Sequence, residues 1–318
     1  MTAPAFLFSL MNHTEIGKAS LHDVVDILGQ QLRSLGYIAE YQNHPEGHPW
    51  TLIRPEIGYN VMVEGFTPQV IEAIATAHAE GFRFICLATE EPTPLGFNYG
   101  KPREMRERQE MFPEAAKFFD AILHLVPGER VGHWYSQFAP TAYVELGYSE
   151  ALIRPQYHIP THDFVFFGSL SPRRRKLLQR LADFTVGQGA PRANVVRICM
   201  TFPSQGERDK ILQEGKVVVQ IRKDEELGLV SSSRCCTSLY NGRPVIAEPH
   251  DEDLSYPWNE IVRFTKSEHE FLLQAKLALS RWETLHQEQF ARFKAKLTPT
   301  VCIGDALKRL GIDNGVRS

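Results

Sequence analysis

The chain has 318 residues, 43% of them hydrophobic and 23% charged, with a formal net charge of −3. That length accommodates two ordinary domains with buried cores, and the near-balanced charge gives no bulk field to draw nucleic acid or an anionic membrane. The five cysteines (Cys86, Cys199, Cys235, Cys236, Cys302) are odd in number and form no CxxC. With no signal peptide and no apolar run of membrane-spanning length, a cytoplasmic protein with reduced cysteines is expected.

The first half alternates strands and helices. Residues 5–11 form an apolar run of strand length. Ser20 stands as an N-cap with Asp23 three residues on, and Leu21, Val24, Val25, Leu28, Leu32 and Leu35 recur at helical spacing up to Gly36. Residues 37–41 and 59–63 read as strands. Thr67-Pro68 opens a helix with a cap and an N1 proline, carrying Val70, Ile71, Ile74 and Ala77 on one face. Residues 82–88 and 121–126 read as buried strands. This alternation implies parallel pairing through right-handed crossovers.

Between 150 and 162 the pattern resets around Pro155 and Pro160, which suits an interdomain linker and hinge. A second α/β series follows, with strands at 164–167, 195–200, 216–221, 244–247 and 261–264. Helices are expected from Pro172, from about Glu207 and over 232–240. Thr265 and Glu268 have capping-box spacing. Phe271, Ala275, Leu279, Trp282, Leu285, Gln289, Phe293 and Leu297 then trace one face of a long helix, expected to run back onto the first half. The expected domains are 1–155, 161–268 and a returning tail, 269–318.

Three segments of the second half suit an anionic ligand. A strand ends at Gly168-Ser169, and a helix starts at once with Ser171 as N-cap, Pro172 at N1 and Arg173-Arg174-Arg175 in its first turn. Unbonded N–H groups and the positive helix end make an anion site, and first-turn arginines conflict with the dipole until an anion relieves them. A second strand runs into Arg222, after which Ser231-Ser232-Ser233 opens a helix bearing Arg234. In the third, Glu248 ends a short apolar strand, where a carboxylate can take two ribose hydroxyls. Each also has a plainer reading, as a solvated basic turn, a simple serine cap and a surface carboxylate.

Taken together, these segments resemble a known family. Phe166-Phe167-Gly168-Ser169-Leu170-Ser171-Pro172-Arg173-Arg174-Arg175 is similar to the opening of the donor-binding domain of bacterial GT-B glycosyltransferases, particularly the spore-coat-type group. Gly206-Glu207-Arg208, Lys216-Val217-Val218-Val219-Gln220, and Arg234 ahead of 239–248 resemble that group too, over roughly 163–280. The resemblance implies an α/β GT-B architecture, two Rossmann-like domains facing a cleft. It further implies a nucleotide-diphosphate-sugar substrate held by the second domain, no metal and no other cofactor, and an acceptor held by the first. Gly168, Ser169, Arg173 and Ser232 would then grip the diphosphate and Glu248 the ribose, with Arg222 and Arg234 also binding the donor. One departure stands out: Ser231, Ser232 and Ser233 occupy positions where the family often carries an acid and an aromatic.

The acceptor half offers candidates for a general base. His13 and Glu15 lie in the polar stretch 11–17, read as a loop ending at Gly17, while Glu64, Glu90 and Glu91 follow other strands as rivals. Other motifs fail. Gly96–Gly100 with Lys101 is one residue short of a P-loop and continues into Pro102. Asp251-Glu252-Asp253 lies in a polar loop. His44 and His48 are separated by proline and glycine, so no zinc site is expected, and no GxGxxG follows a strand. Two further readings stay open beside sugar transfer: a binding or scaffold protein without turnover, and a sugar-nucleotide epimerase.

Overall fold

Apolar runs of three to six residues, too short for helices, pair side by side while amphipathic helices cover them, and this occurs twice. The computed structural model describes residues 5–10, 15–42, 51–100, 103–156, 158–186, 194–199, 204–225, 228–250 and 255–312, with the backbone alone at 15–20. The chain divides into two units, Met1–Ser149 with Leu297–Ser318, and Glu150–Lys296.

In the first unit, β1 (Ala5–Ser9), α1 (Glu15–Ser34), β2 (Ile38–Gln42), β3 (Gly58–Val63), α2 (Pro68–Ala79), β4 (Phe84–Ala88), α3 (Glu104–Ala116), β5 (Ala121–His124), α4 (Glu129–Ser136) and β6 (Thr141–Tyr143) follow in order. The strands form one parallel sheet in the order β2-β1-β3-β4-β5-β6. Every residue of β1, β3, β4 and β5 is buried, which is why these strands read as apolar runs rather than alternations. Thr67 caps α2 as its spacing foretold, its side chain accepting from Val70 N–H at 3.3 Å.

Two expectations need correcting here. Helix α1 starts at Glu15 rather than after Ser20, so Glu15 and Gly17 belong to the helix and not to a preceding loop. Helices α3 and α4 and strand β6 went unread. Helix α3 has six charged residues among its thirteen and contains Pro113, and β6 has three residues, too few for a period.

In the second unit, β7 (His162–Phe167), α5 (Pro172–Val186), β8 (Val196–Cys199), α6 (Gln205–Gln213), β9 (Gly215–Gln220), α7 (Ser232–Tyr240), β10 (Val245–Ala247), β11 (Arg263–Phe264), α8 (Glu268–Ala278) and α9 (Trp282–Lys296) follow. The sheet, again parallel, has the order β11-β10-β9-β7-β8. Phe164, Phe166, Leu177, Leu181, Val217, Val219, Ile246, Phe271 and Ala275 form its core. Connections reverse direction between β7 and β9, and the crevice beyond the strand ends at such a reversal is where open α/β sheets bind ligands.

The tail also departs from expectation. Instead of one long helix returning from 269, α8 and α9 are separated by a 3-10 turn at Leu279–Arg281, and both belong to the second unit. Gln289, 1% exposed, explains the attachment. Its amide accepts from Val245 N–H at 2.8 Å and donates to the Val245 carbonyl at 2.9 Å. The chain joins the first unit only from Leu297, whose carbonyl accepts from Tyr148 N–H at 2.7 Å, and it ends there with the short α10 (Asp305–Arg309). The cap of α8 is Ser267, which accepts from Glu270 N–H at 3.1 Å, rather than Thr265.

The expected linker is also bonded to the second unit. Arg154 N–H donates to the Tyr240 carbonyl at 3.0 Å, and Gln213 donates to the Pro155 carbonyl at 2.9 Å. The boundary therefore falls at Ser149 rather than 155. All five cysteines are buried and none forms a disulfide, and among the described residues no helix is long and apolar enough to cross a membrane.

Candidate functional site

The ends of β7, β9 and β10 carry four arginines, and the way each is held differs. Strand β7 runs out into Gly168, whose φ of +130° is a conformation that side-chain-bearing residues rarely adopt. A Cβ there would lie 3.0 Å from Arg234 Nη2, so the bare glycine lets that guanidinium come close to the main chain.

Arg174, 6% exposed, is a structural clamp. Its Nε donates to the Ile221 carbonyl at 2.9 Å, and its Nη1 donates to the Ser169 carbonyl and hydroxyl at 2.8 and 3.1 Å. It thereby ties the loop after β7 to the end of β9. Burial first, and then the charge of Arg234, pull its pKa down to about 9.

Arg234 has no such anchorage. It lies in the first turn of α7, at the wrong end of that helix dipole for a cation, with its guanidinium 5.8 and 5.5 Å from the ring centres of Phe166 and Phe167. Its side chain makes no hydrogen bond or ion pair with any described residue. Burial pulls its pKa down to about 10, and at neutral pH it is still a cation. Around it, Ser231 makes no side-chain cap bond, so the first-turn N–H groups of α7 stay open. No described residue accepts from the N–H groups of Ser169, Leu170 or Ser171. A half-buried cation brought up to a bare glycine, with open amides at the starts of two helices, supplies the elements of an anion site.

Arg173 and Glu248 meet each other. Arg173 Nη1 and Nη2 donate to Glu248 Oε1 and Oε2 at 2.8 and 2.6 Å, and Nη1 also donates to the Arg222 carbonyl at 3.2 Å. Arg222 N–H donates to Glu248 Oε1 as well, and the Arg222 side chain lies 3.8 Å from the same oxygen. The two residues read separately from the sequence as diphosphate and ribose ligands therefore form one ion pair. Ser232 stands at the start of α7, as expected, and Ser171 accepts from Arg174 N–H at 3.3 Å.

Two neighbours are given no role by the sequence. His250 donates from Nδ1 to the Glu248 carbonyl at 2.6 Å, which leaves Nε2 as an acceptor. Burial, and then the charges of Arg222, Arg234 and Arg173, lower its pKa to about 4, so it stays neutral. Gln220, 1% exposed at the end of β9, accepts from the Cys235 thiol, and its Nε2 has no partner among the described residues. Only its position at a strand end would have pointed to it.

In the first unit His13 and the side chain of Glu15 lie outside the described residues. The rival carboxylates hold the loop after β4. Glu91 pairs with Arg130, Glu90 accepts from Asn98, and Glu64 accepts from the Thr89 main chain, from the Thr89 hydroxyl at 3.0 Å and from Tyr135 at 3.1 Å. Burial first, and then the charge of Glu90, raise the Glu64 pKa to about 8, so Glu64 is protonated in the folded protein at pH 7. Unfolding between the ordinary carboxyl value and about 8 releases that proton, so this group makes stability fall as pH rises through the window. Glu64→Gln keeps the shape without the titration. Its melting temperature is expected to fall less than that of the natural chain between pH 5 and 8, and parallel melting curves would show Glu64 to be ionised when folded. Among the described residues no cluster of His, Cys, Asp and Glu is arranged to hold a metal ion.

No protein-family model matches the chain. In sequence it is 28% identical over 105 residues to the uncharacterized protein L140 of Acanthamoeba polyphaga mimivirus, a match spanning 32% of each chain. In structure it is similar to a variant of S. aureus TarM solved with UDP (14% identity, TM-score 0.52, covering 80% of this chain and 55% of TarM). It is similar also to Anabaena Alr3699/HepE solved with UDP (10% identity, TM-score 0.56, covering 97% and 99%). A third is WaaG, a glycosyltransferase involved in lipopolysaccharide biosynthesis (10% identity, TM-score 0.55, covering 98% and 100%). The fold is that of the GT-B glycosyltransferases. This chain spans about half the length of TarM but nearly all of HepE and WaaG. Its second GT-B unit carries every donor-side residue that the sequence singled out, at the carboxyl ends of β7, β9 and β10 or at the start of the helices after β7 and β9.

Proposed function

We propose that the chain is a cytoplasmic glycosyltransferase, akin to the bacterial spore-coat-type group. It takes a nucleotide-diphosphate-sugar on its second unit and passes the sugar to an acceptor, with no metal ion or other cofactor. The observation that carries this reading is Arg234, an unbonded guanidinium beside the bare main chain of Gly168, with the open N–H groups of α7 next to it. UDP in the TarM and HepE structures, which share the fold, supports a nucleotide as the anion.

In the reaction an acceptor oxygen bonds to the sugar's anomeric carbon as the bond from that carbon to the diphosphate breaks, and the acceptor's proton leaves to a base. Charge accumulates on the departing diphosphate, and Arg234 with the amides of Ser169, Leu170 and α7 stabilises it there. Gly168 and Ser169 admit the phosphates to the main chain, and Ser232 supplies a hydroxyl. Arg222 and Arg173 add charge, and Glu248 takes the ribose diol. His13 or Glu15 receives the proton.

The serines at 231–233 favour a second reading, a binder that keeps the nucleotide-sugar intact. Calorimetry against UDP-, ADP- and GDP-sugars, followed by detection of released nucleoside diphosphate, separates the two. Binding with release is expected; binding without release selects the binder, and interconversion of one donor sugar into another selects an epimerase. If none of the panel binds, the nucleotide-sugar reading is lost.

A further inference from the structure

Arg173 and Glu248 have the chemistry of the two halves of a nucleotide ligand, yet they occupy each other. The guanidinium fork takes both carboxylate oxygens at 2.8 and 2.6 Å, the geometry with which arginine otherwise takes two phosphate oxygens. The carboxylate receives two donors side by side, the number that a ribose diol supplies. Oε1 is already shared with Arg222 N–H, so a diol spanning both oxygens requires the fork to leave.

We propose that the Arg173–Glu248 pair is a latch that opens only to a ligand carrying a vicinal diol and a phosphate together. This rests on the reading of the second unit as a nucleotide-diphosphate site. A diol alone takes Glu248 and strands the Arg173 charge beside Arg222 and Arg234. A phosphate alone takes Arg173 and leaves the Glu248 carboxylate, whose side chain is 2% exposed against 26% for Arg173, with only the Arg222 N–H and the Arg222 side chain 3.8 Å away. Stranding one member of a buried pair is the costly case, and a nucleotide avoids it by supplying a substitute for each member at once. When the fork releases Glu248, the bond from Nη1 to the Arg222 carbonyl, 3.2 Å, keeps Arg173 near the strand ends. Rejection of nucleosides and free pyrophosphate is thereby built into the ligand-free site rather than into contacts made after binding.

The experiment is calorimetry on the full chain with UDP, ADP and GDP, with the matching nucleosides, and with pyrophosphate. For the base that binds, the nucleoside is expected to bind at least about 100-fold more weakly than its diphosphate, and saturating pyrophosphate to tighten the nucleoside at least about tenfold. Arg173→Gln is expected to weaken the diphosphate, to tighten the lone nucleoside about tenfold and to abolish the synergy with pyrophosphate. Should Arg173→Gln not fold, Arg173→Lys, which keeps the charge and loses the fork, serves the same comparison. The synergy is read on the natural chain in any case. Nucleoside affinity indifferent to pyrophosphate overturns the latch while leaving the nucleotide site standing. If no diphosphate binds, the nucleotide reading fails and the latch falls with it.

Discussion

Arg234→Met is expected to bind nucleotide-diphosphate-sugars at least about 100-fold more weakly than the natural chain, while unfolding at the same or a higher temperature. The two effects have opposite signs for one reason. Arg234 is half-buried, its pKa is pulled down to about 10 by burial, and no described residue shares its charge. Without a ligand it costs stability; with one it forms charge-assisted hydrogen bonds worth about 1.5–3 kcal/mol each, and two suffice for the expected loss. Methionine keeps the apolar stem against Phe166 and Phe167 and removes the charge. Calorimetry and thermal unfolding check the pair of results. Unchanged affinity would remove Arg234 from the site, and a large fall in melting temperature would give it a structural role instead.

Arg174→Met, one residue beyond the Arg173 latch, is expected instead to destabilise the fold, by about 2–5 kcal/mol. Its side chain holds the carbonyls of Ile221 and Ser169 at 2.9 and 2.8 Å; the first bond is buried and the second partly so, and a buried carbonyl left without its donor costs about 1–3 kcal/mol. Nucleotide affinity should fall too, through the loosened loop after β7, and part of it should return on cooling as the loop re-forms. Denaturant unfolding measures the first effect. A variant as stable as the natural chain would show that neighbouring groups or water satisfy those carbonyls, and the clamp would be dismissed.

Much of both units is legible in local pattern. The buried runs in β1, β3, β4, β7 and β9, the Thr67-Pro68 start of α2 and the Pro172 start of α5 each depend on a few adjacent residues. Where the pattern is weak the reading fails, as in the charged, proline-bearing α3 and the three-residue β6. The long apolar face from Phe271 to Leu297 shows the limit most clearly. Its period establishes that the face is buried but not against what, and Gln289 bonding to Val245 assigns α9 to the second unit.

The candidate site divides in the same way. Gly168 with its arginine-rich helix, the serine start of α7, and Glu248 at a strand end are each a short stretch of chain. As local features they are legible in the sequence, because dihedral preference, capping and the helix dipole act within a turn or two. Which arginine is left for a ligand is decided only by folding. Arg173 reaches Glu248 across 75 residues of chain, and Arg234 reaches Gly168 from a different helix. Those encounters follow from the order β11-β10-β9-β7-β8, which brings distant strand ends together. Coulomb attraction then pairs Arg173 with Glu248, while among the described residues none shares the charge of Arg234, an outcome that no local period encodes.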